Sequence, residues 1–206
     1  MPSENLTFIE QARRSQIVGC AAEVIAEVGL ARASMARIAE RAEISVGVIS
    51  YHFGNKAGMI AAVVEHVAAT AVAIMEPQIV GQPTAMAGLR MLITSNLDFM
   101  RRHPRELRAL LEIIRHDAAG SDQQGVYATQ GVQAVTDVQR VLAWGHATGE
   151  FRDFDSRTMA ITIRAAIDAV PALIGVLPDL DLVAYGVELA DIFERATTAH
   201  PIEGSS

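Results

Sequence analysis

The chain has 206 residues, of which 50% are hydrophobic and 20% charged, with a net charge of −7. That length suits one or two small domains with a real core, and that composition excludes a disordered protein. A single cysteine, Cys20, excludes an internal disulfide framework, and no basic stretch leads into an apolar run near the start, so the expectation is a cytoplasmic protein.

In chain order, Thr7-x-x-Glu10 reads as a capping box. The apolar positions Ile17, Ala21, Val24, Ile25 and Val28 follow at helical spacing and stop at Gly29. Ser34 is placed to cap a short second helix over 35–42, and Ser45 a third over 46–53. Asn55 opens a long fourth helix bearing Met59, Ile60, Val63, Val64, Val67 and Ala71, expected to close near Pro77. Glu65 and His66 interrupt its apolar run, so no membrane span is expected there. A fifth helix after Pro83 displays Leu89, Leu92, Ile93, Leu97 and Met100. Pro104 stands in the first turn of a sixth, whose apolar face is Leu107, Leu110, Leu111 and Ile114. A loop over 120–125 leads to helices at about 126–148, 156–176 and 181–199. Strand signals are nearly absent, and the fold class is all-α with about nine helices.

The charge is not evenly spread. Residues 1–60 hold six basic and six acidic side chains, so the whole net charge of −7 sits beyond them. A phosphate-bearing partner can approach only the front of the molecule. There, helices 35–42 and 46–53 have the lengths and the short spacing, about four residues, of a helix-turn-helix. Small residues at Ser45 and in the turn after it would let a helix backbone come close to a DNA groove. Tyr51 and His52 can donate to phosphates, Phe53 packs inward and Gly54 breaks the helix. Lys56, the chain's single lysine, stands at the next helix's N-terminus, where the dipole also favours a phosphate.

The stretch "ASMARIAERAEISVGVISYHFGNKAGMI" resembles the TetR/AcrR family of bacterial transcriptional repressors. The resemblance covers about residues 8–65 and is carried by Tyr51-His52-Phe53, Gly54-Asn55-Lys56 and Gly47. It implies a DNA-binding helix-turn-helix domain over 1–54 and an effector-binding and dimerisation domain over 55–206. It also implies a homodimer on a palindromic double-stranded operator, released when a small molecule binds the C-terminal domain. The DNA-binding residues on this reading are Ser34, Ser45, Val46, Gly47, Val48, Ser50, Tyr51, His52 and Lys56. Val46, Val48 and Ser50 depart from the family's usual lysine, polar residue and tyrosine, although valines can still touch thymine methyl groups. Glu43 stands where the family commonly has glycine, which points to a left-handed backbone there.

In the second domain, Leu92, Asn96, Met100, Trp144 and Met159 are expected to line a cavity between the fifth, seventh and eighth helices. The bland reading of the same residues is packing, with Asn96 a satisfied amide. Their inventory suits a small, largely apolar and neutral effector. The eighth helix has two apolar faces, one of Ile163, Ile167, Val170, Ile174 and Leu177, the other of Ile161, Ala165, Ala169 and Leu173. A helix apolar on both sides needs two packing partners, one of which can be a second subunit. Ile163, Ile167, Val170 and Ile174 of the first face, with Tyr185, Leu189 and Phe193 of the last helix, are assigned to the dimer interface. Pro171 is placed to kink the eighth helix or to mark its weak point.

Two other classes fit an all-α chain: a helical enzyme and a helical protein-interaction module. No nucleophile stands with a base, and the six histidines show no paired ligand spacing. No catalytic residue, metal or cofactor is therefore assigned. An interaction module would leave the pattern from Ser45 to Lys56 unexplained.

Overall fold

The computed structural model describes residues 8–117 and 124–199. The capping threonine Thr7 and most of the expected 120–125 loop lie outside them. The helices are α1 (Phe8–Val28), α2 (Met35–Arg41), α3 (Val46–Phe53), α4 (Lys56–Val80), α5 (Ala85–Arg102), α6 (Pro104–Asp117), α7 (Gln124–Thr148), α8 (Ser156–Asp168), α9 (Val170–Val176) and α10 (Leu182–Thr197). The only β pairing among the described residues is an isolated antiparallel bridge between Phe151 and Thr198. The all-α expectation holds.

Two elements differ from the sequence expectation, and proline explains both. α4 does not close near Pro77 but runs through it to Val80. So near a C-terminus the missing N–H costs one hydrogen bond, and Gly81 closes the last turn by donating to the Pro77 carbonyl at 3.1 Å. The segment read as one helix over 156–176 is two, parted at Ala169, with Pro171 in the first turn of α9. Pro171 has no amide for the Ile167 carbonyl and its ring crowds that turn, so the chain restarts as a new helix where proline is tolerated.

By packing, the chain divides into residues 1–70 with 103–128, and residues 71–102 with 129–206. The first division falls inside α4, which is one continuous helix. In the first unit, Ile17, Ala21 and Ile25 of α1, Ile38 of α2, Ile49 and Phe53 of α3, Met59 and Val63 of α4 and Ile113 of α6 form one core. Each fully buried aliphatic side chain contributes on the order of 1.5–3 kcal/mol. α2 and α3 are too short to be helical alone and are held by this core. α4 is long and apolar enough to cross a membrane, as is the stretch Ser156–Val176. Here the apolar residues of α4's first half are spent on the core, where Met59, Ile60, Val63, Val64 and Val67 are all buried.

In the second unit, Leu89, Leu92, Ile93 and Leu97 of α5 pack with Val138 and Leu142 of α7, Ile163 and Ile167 of α8, and Leu189 and Phe193 of α10. Arg90 ties α5 to α10 through Asp191 and Glu194. Glu150 caps α5 from a distance in sequence: its carboxylate accepts from the Ala85 and Met86 amides at 3.0 Å each and from the Thr148 hydroxyl at 2.9 Å. Burial opposes its charge, but these donors outweigh burial and hold the carboxyl below its ordinary value.

Candidate nucleic-acid interface

The turn between α2 and α3 is a Schellman motif built on a glutamate. The Ile44 amide donates to the Ala39 carbonyl at 3.0 Å and the Glu43 amide to the Glu40 carbonyl at 3.2 Å. That pattern needs a left-handed residue, and Glu43 supplies it at φ 55°, the one described non-glycine residue at positive φ. The expected left-handed turn is present, and the glutamate costs roughly 1 kcal/mol relative to glycine there. Ile44 then packs on the core of the first unit.

Three side chains cap three successive helices. Ser34 accepts from the Arg37 amide at 3.2 Å, Ser45 from the Val48 amide at 3.3 Å and Asn55 from the Gly58 amide at 3.0 Å. Each satisfies an amide with no partner inside its helix and contributes about 1 kcal/mol. The last of these turns is tight. A Cβ on Gly58 would stand 2.1 Å from the Phe53 carbonyl oxygen, so only glycine lets α4 start against the end of α3. Gly54, at φ 73°, makes the break between them.

This scaffold turns one side of α3 inward and one outward. Ile49 is fully buried and Phe53 nearly so, while Ser45, Val46, Gly47, Ser50 and Tyr51 are exposed, Tyr51 at 80%. Val48 and His52 are half-buried at the edges. Seven of the nine sequence candidates therefore sit on or beside the outward side of α3, and Ser34 is exposed at the start of α2. A Cβ on Gly47 would come no closer than 3.6 Å to any atom, the Ser45 hydroxyl, so nothing inside the protein requires glycine there. The Tyr51 and His52 rings meet edge to face, with centroids 5.2 Å apart.

The ninth candidate, Lys56, is half-buried, and its Nζ donates to the Leu30 carbonyl at 2.8 Å. Two of its three N–H groups remain for another acceptor. Arg41 is committed as well, donating to Glu23 at 3.1 Å and Glu27 at 3.0 Å across α1 and α2. Its guanidinium holds the Glu27 carboxyl below its ordinary value. Arg37 is exposed in the first turns of α2, beside Ser34, and was not singled out by the sequence pattern. Arg14, also missed, donates to the His52 carbonyl at 2.7 Å and lies over the Phe53 ring, 4.4 Å from its centroid. Only the folded chain brings it there from 38 residues away. Cys20 lies against α2 with its sulfur 3.9 Å from the Arg41 carbonyl, and burial pushes its thiol above the ordinary range.

In the second unit, Leu92, Met100, Trp144 and Met159 join one apolar cluster, Leu92 buried and the other three partly so. Asn96 is engaged: its Nδ2 donates to the Leu92 carbonyl at 2.8 Å and its Oδ1 accepts from Arg164 at 3.2 Å. Arg164 also pairs with Asp168, one turn along α8. A separate groove of 250 Å³ lies between α5 and α10, lined by Met91, Thr94, Ser95, Asp98, Val183 and Gly186 among others. It occupies a different face of α5 from Asn96, and the sequence reading did not find it.

The residues assigned to a dimer interface are placed otherwise. Ile163, Ile167 and Val170 are fully buried within one chain, and Leu189 and Phe193 are 8% and 6% exposed. Ile174 and Tyr185 are half-buried against the same core. The protomer takes that face for itself because α5 and α7 cover it. The second apolar face of α8 stays open, with Ile161, Ala165 and Ala169 exposed, as are Val183, Val187 and Ile192 of α10.

Residues 17–63 match the model of the bacterial regulatory proteins of the tetR family. The chain is 39% identical over 59 residues to the HTH-type transcriptional regulator BetI of Paraburkholderia phytofirmans, covering 29% of this chain and 30% of that one. The chain thus spans less than half the length of the curated relatives it matches. Two solved structures share the fold over most of their length. The transcriptional regulator FadR from Bacillus subtilis in complex with stearoyl-CoA has a TM-score of 0.75 at 21% identity, covering 86% of this chain and 95% of that one. A putative transcriptional regulator from Saccharomonospora viridis in complex with choline has a TM-score of 0.77 at 20% identity, covering 92% and 99%.

Proposed function

We propose that this chain, whose residues 17–63 match the model of the bacterial regulatory proteins of the tetR family, is a ligand-responsive transcriptional regulator that binds a palindromic operator as a homodimer. The observation that carries this reading is the outward face of α3. It is held rigid by the Ser45 cap and by the burial of Ile49 and Phe53, and its exposed residues are small or able to donate. Gly47 lets the helix backbone approach a groove, and Val46 and Val48 can meet thymine methyl groups. Ser34, Ser45, Ser50, Tyr51 and His52 can serve phosphates or base edges, and Lys56 has N–H groups left for a phosphate.

A dimer supplies the second recognition helix that a palindrome needs. The open apolar residues Ile161 and Ala165 of α8, Ala169 just after it, and Val183, Val187 and Ile192 of α10 suit a second copy better than water. We assign the effector to the side of α5 bearing Leu92, Asn96 and Met100, with Trp144 and Met159. Similar folds hold ligands as different as stearoyl-CoA and choline, so the lining decides. Here it is mostly aliphatic and methionine, with Arg164 balanced by Asp168, which suits a small, largely apolar effector whose polar end meets the Asn96–Arg164 pair. Its binding releases the operator.

Selection from random duplexes, followed by titration of the enriched site at several salt concentrations, tests the DNA reading. Binding should fall steeply with salt and recover a two-fold symmetric site. Failure to enrich any duplex would overturn the reading. Apolar ligands should then release the DNA, and release by strongly anionic compounds alone would overturn the effector class.

A further inference from the structure

We propose that Arg14 of α1 is a positioning residue for the recognition helix, setting the pose of Tyr51 and His52 without touching DNA itself. The inference rests on the DNA-binding reading of α3. That helix has eight residues, too few to persist without tertiary support. Its C-terminal carbonyls need partners from elsewhere. Ser50 receives the Gly54 amide at 2.9 Å and Phe53 the Asn55 amide at 2.8 Å. The His52 carbonyl receives the Arg14 guanidinium at 2.7 Å. A cation at this end also complements the helix dipole.

The same guanidinium lies over the Phe53 ring, so one side chain fixes the last turn through both its backbone and its buried anchor. Tyr51, 80% exposed, belongs to that turn, and its ring leans on the half-buried His52. Arg14 is itself half-buried, with its charge spent inward. Its charge therefore orders the surface without adding to it.

The test uses the full-length chain and the duplex enriched by the wild type, with Arg14→Met and Arg14→Lys as variants. Methionine keeps much of the stem and removes the charge. Arg14→Met should bind roughly tenfold more weakly, the loss expected of one charged hydrogen bond, with an unchanged salt slope because no cation is withdrawn from a phosphate. Arg14→Lys should recover part of the loss. Tyr51→Phe should cost less in the Arg14→Met background than in the wild type, whereas Ser34→Ala should cost the same in both. Wild-type affinity in Arg14→Met would overturn the proposal. So would a salt slope reduced by about one unit with additive costs, which would make Arg14 a phosphate contact. Should Arg14→Met not fold, Arg14→Lys supplies the same readouts. If the wild type binds no duplex, it is the DNA reading that fails. Hydrogen exchange at the Phe53 and Gly54 amides then judges Arg14 separately: faster exchange in the variants supports its hold on α3, and equal rates overturn it.

Discussion

The same substitution, glycine to alanine, should have opposite effects at Gly47 and Gly58. At Gly58 the new methyl would stand 2.1 Å from the Phe53 carbonyl oxygen, more than 1 Å inside ordinary contact, and the obstacle is backbone. Relief requires α4's first turn to move off the end of α3. That strains the Asn55 amide's bond to the Phe53 carbonyl and the Asn55 cap on the Gly58 amide, 2.8 and 3.0 Å in the native turn. Strain and the lost cap together cost about 3 kcal/mol, and alanine's better helix propensity returns about 1, for a net loss of roughly 2 kcal/mol. At Gly47 the nearest atom to the methyl is 3.6 Å away, so the folded chain keeps a gain of about 0.5–1 kcal/mol. The gap between the two variants is then roughly 3 kcal/mol, readable in urea unfolding. Duplex titration separates them again. Gly47→Ala, though the more stable protein, should lose about tenfold in operator affinity if the α3 backbone lies against the groove. A Gly47→Ala protein with wild-type affinity would refute that approach, and a Gly58→Ala protein of wild-type stability would refute the packing of α4 on α3.

Glu43→Gly should raise stability by about 1 kcal/mol, because the φ of 55° strains a side chain and not a glycine, and thermal unfolding will show it. Glu150 holds a carboxyl lowered by its bonds to the α5 amides, so its contribution to stability is present above the ordinary glutamate value. That contribution is lost as pH falls through the lowered value, and in Glu150→Gln this part of the acid dependence of unfolding should disappear. Lys56→Ala should weaken binding to all duplexes alike and also lower stability by about 1 kcal/mol, since it removes the bond to the Leu30 carbonyl. Parallel unfolding and binding curves for that variant separate the two losses. Polar substitutions at Val46 and Val48 should alter site preference, measured by repeated duplex selection, more than overall affinity.

The bounds of α3 were legible to the residue because its ends are local chemistry: a serine that accepts at one end, a glycine that breaks at the other. Glu43's left-handed turn was legible through the resemblance, and the capping serines through their side chains alone. The two prolines act in opposite ways, since proline's effect depends on how much helix lies beyond it, three residues after Pro77 and a fresh start at Pro171. Periodicity marked two apolar faces on α8 but carried no information about which one the protomer covers. α5 and α7 decide that, and they bury Ile163 and Ile167 while leaving Ile161 open. Arg14 was hidden for the same reason. It reads as one more surface cation until the fold carries α1 past the end of α3.

The bond from Lys56 to the Leu30 carbonyl has a practical side. Because no other lysine exists in the chain, amine-selective reagents have one side-chain address, and it lies at the start of α4, next to the candidate head. Its nitrogen is half-sheltered and already donating, so its labelling rate measures how often that bond opens. Modification of Lys56, counted by mass on the peptide that carries it so that the N-terminal amine is kept apart, thus reports local breathing of the head with no engineered probe. The same count would show whether a bound duplex closes that address.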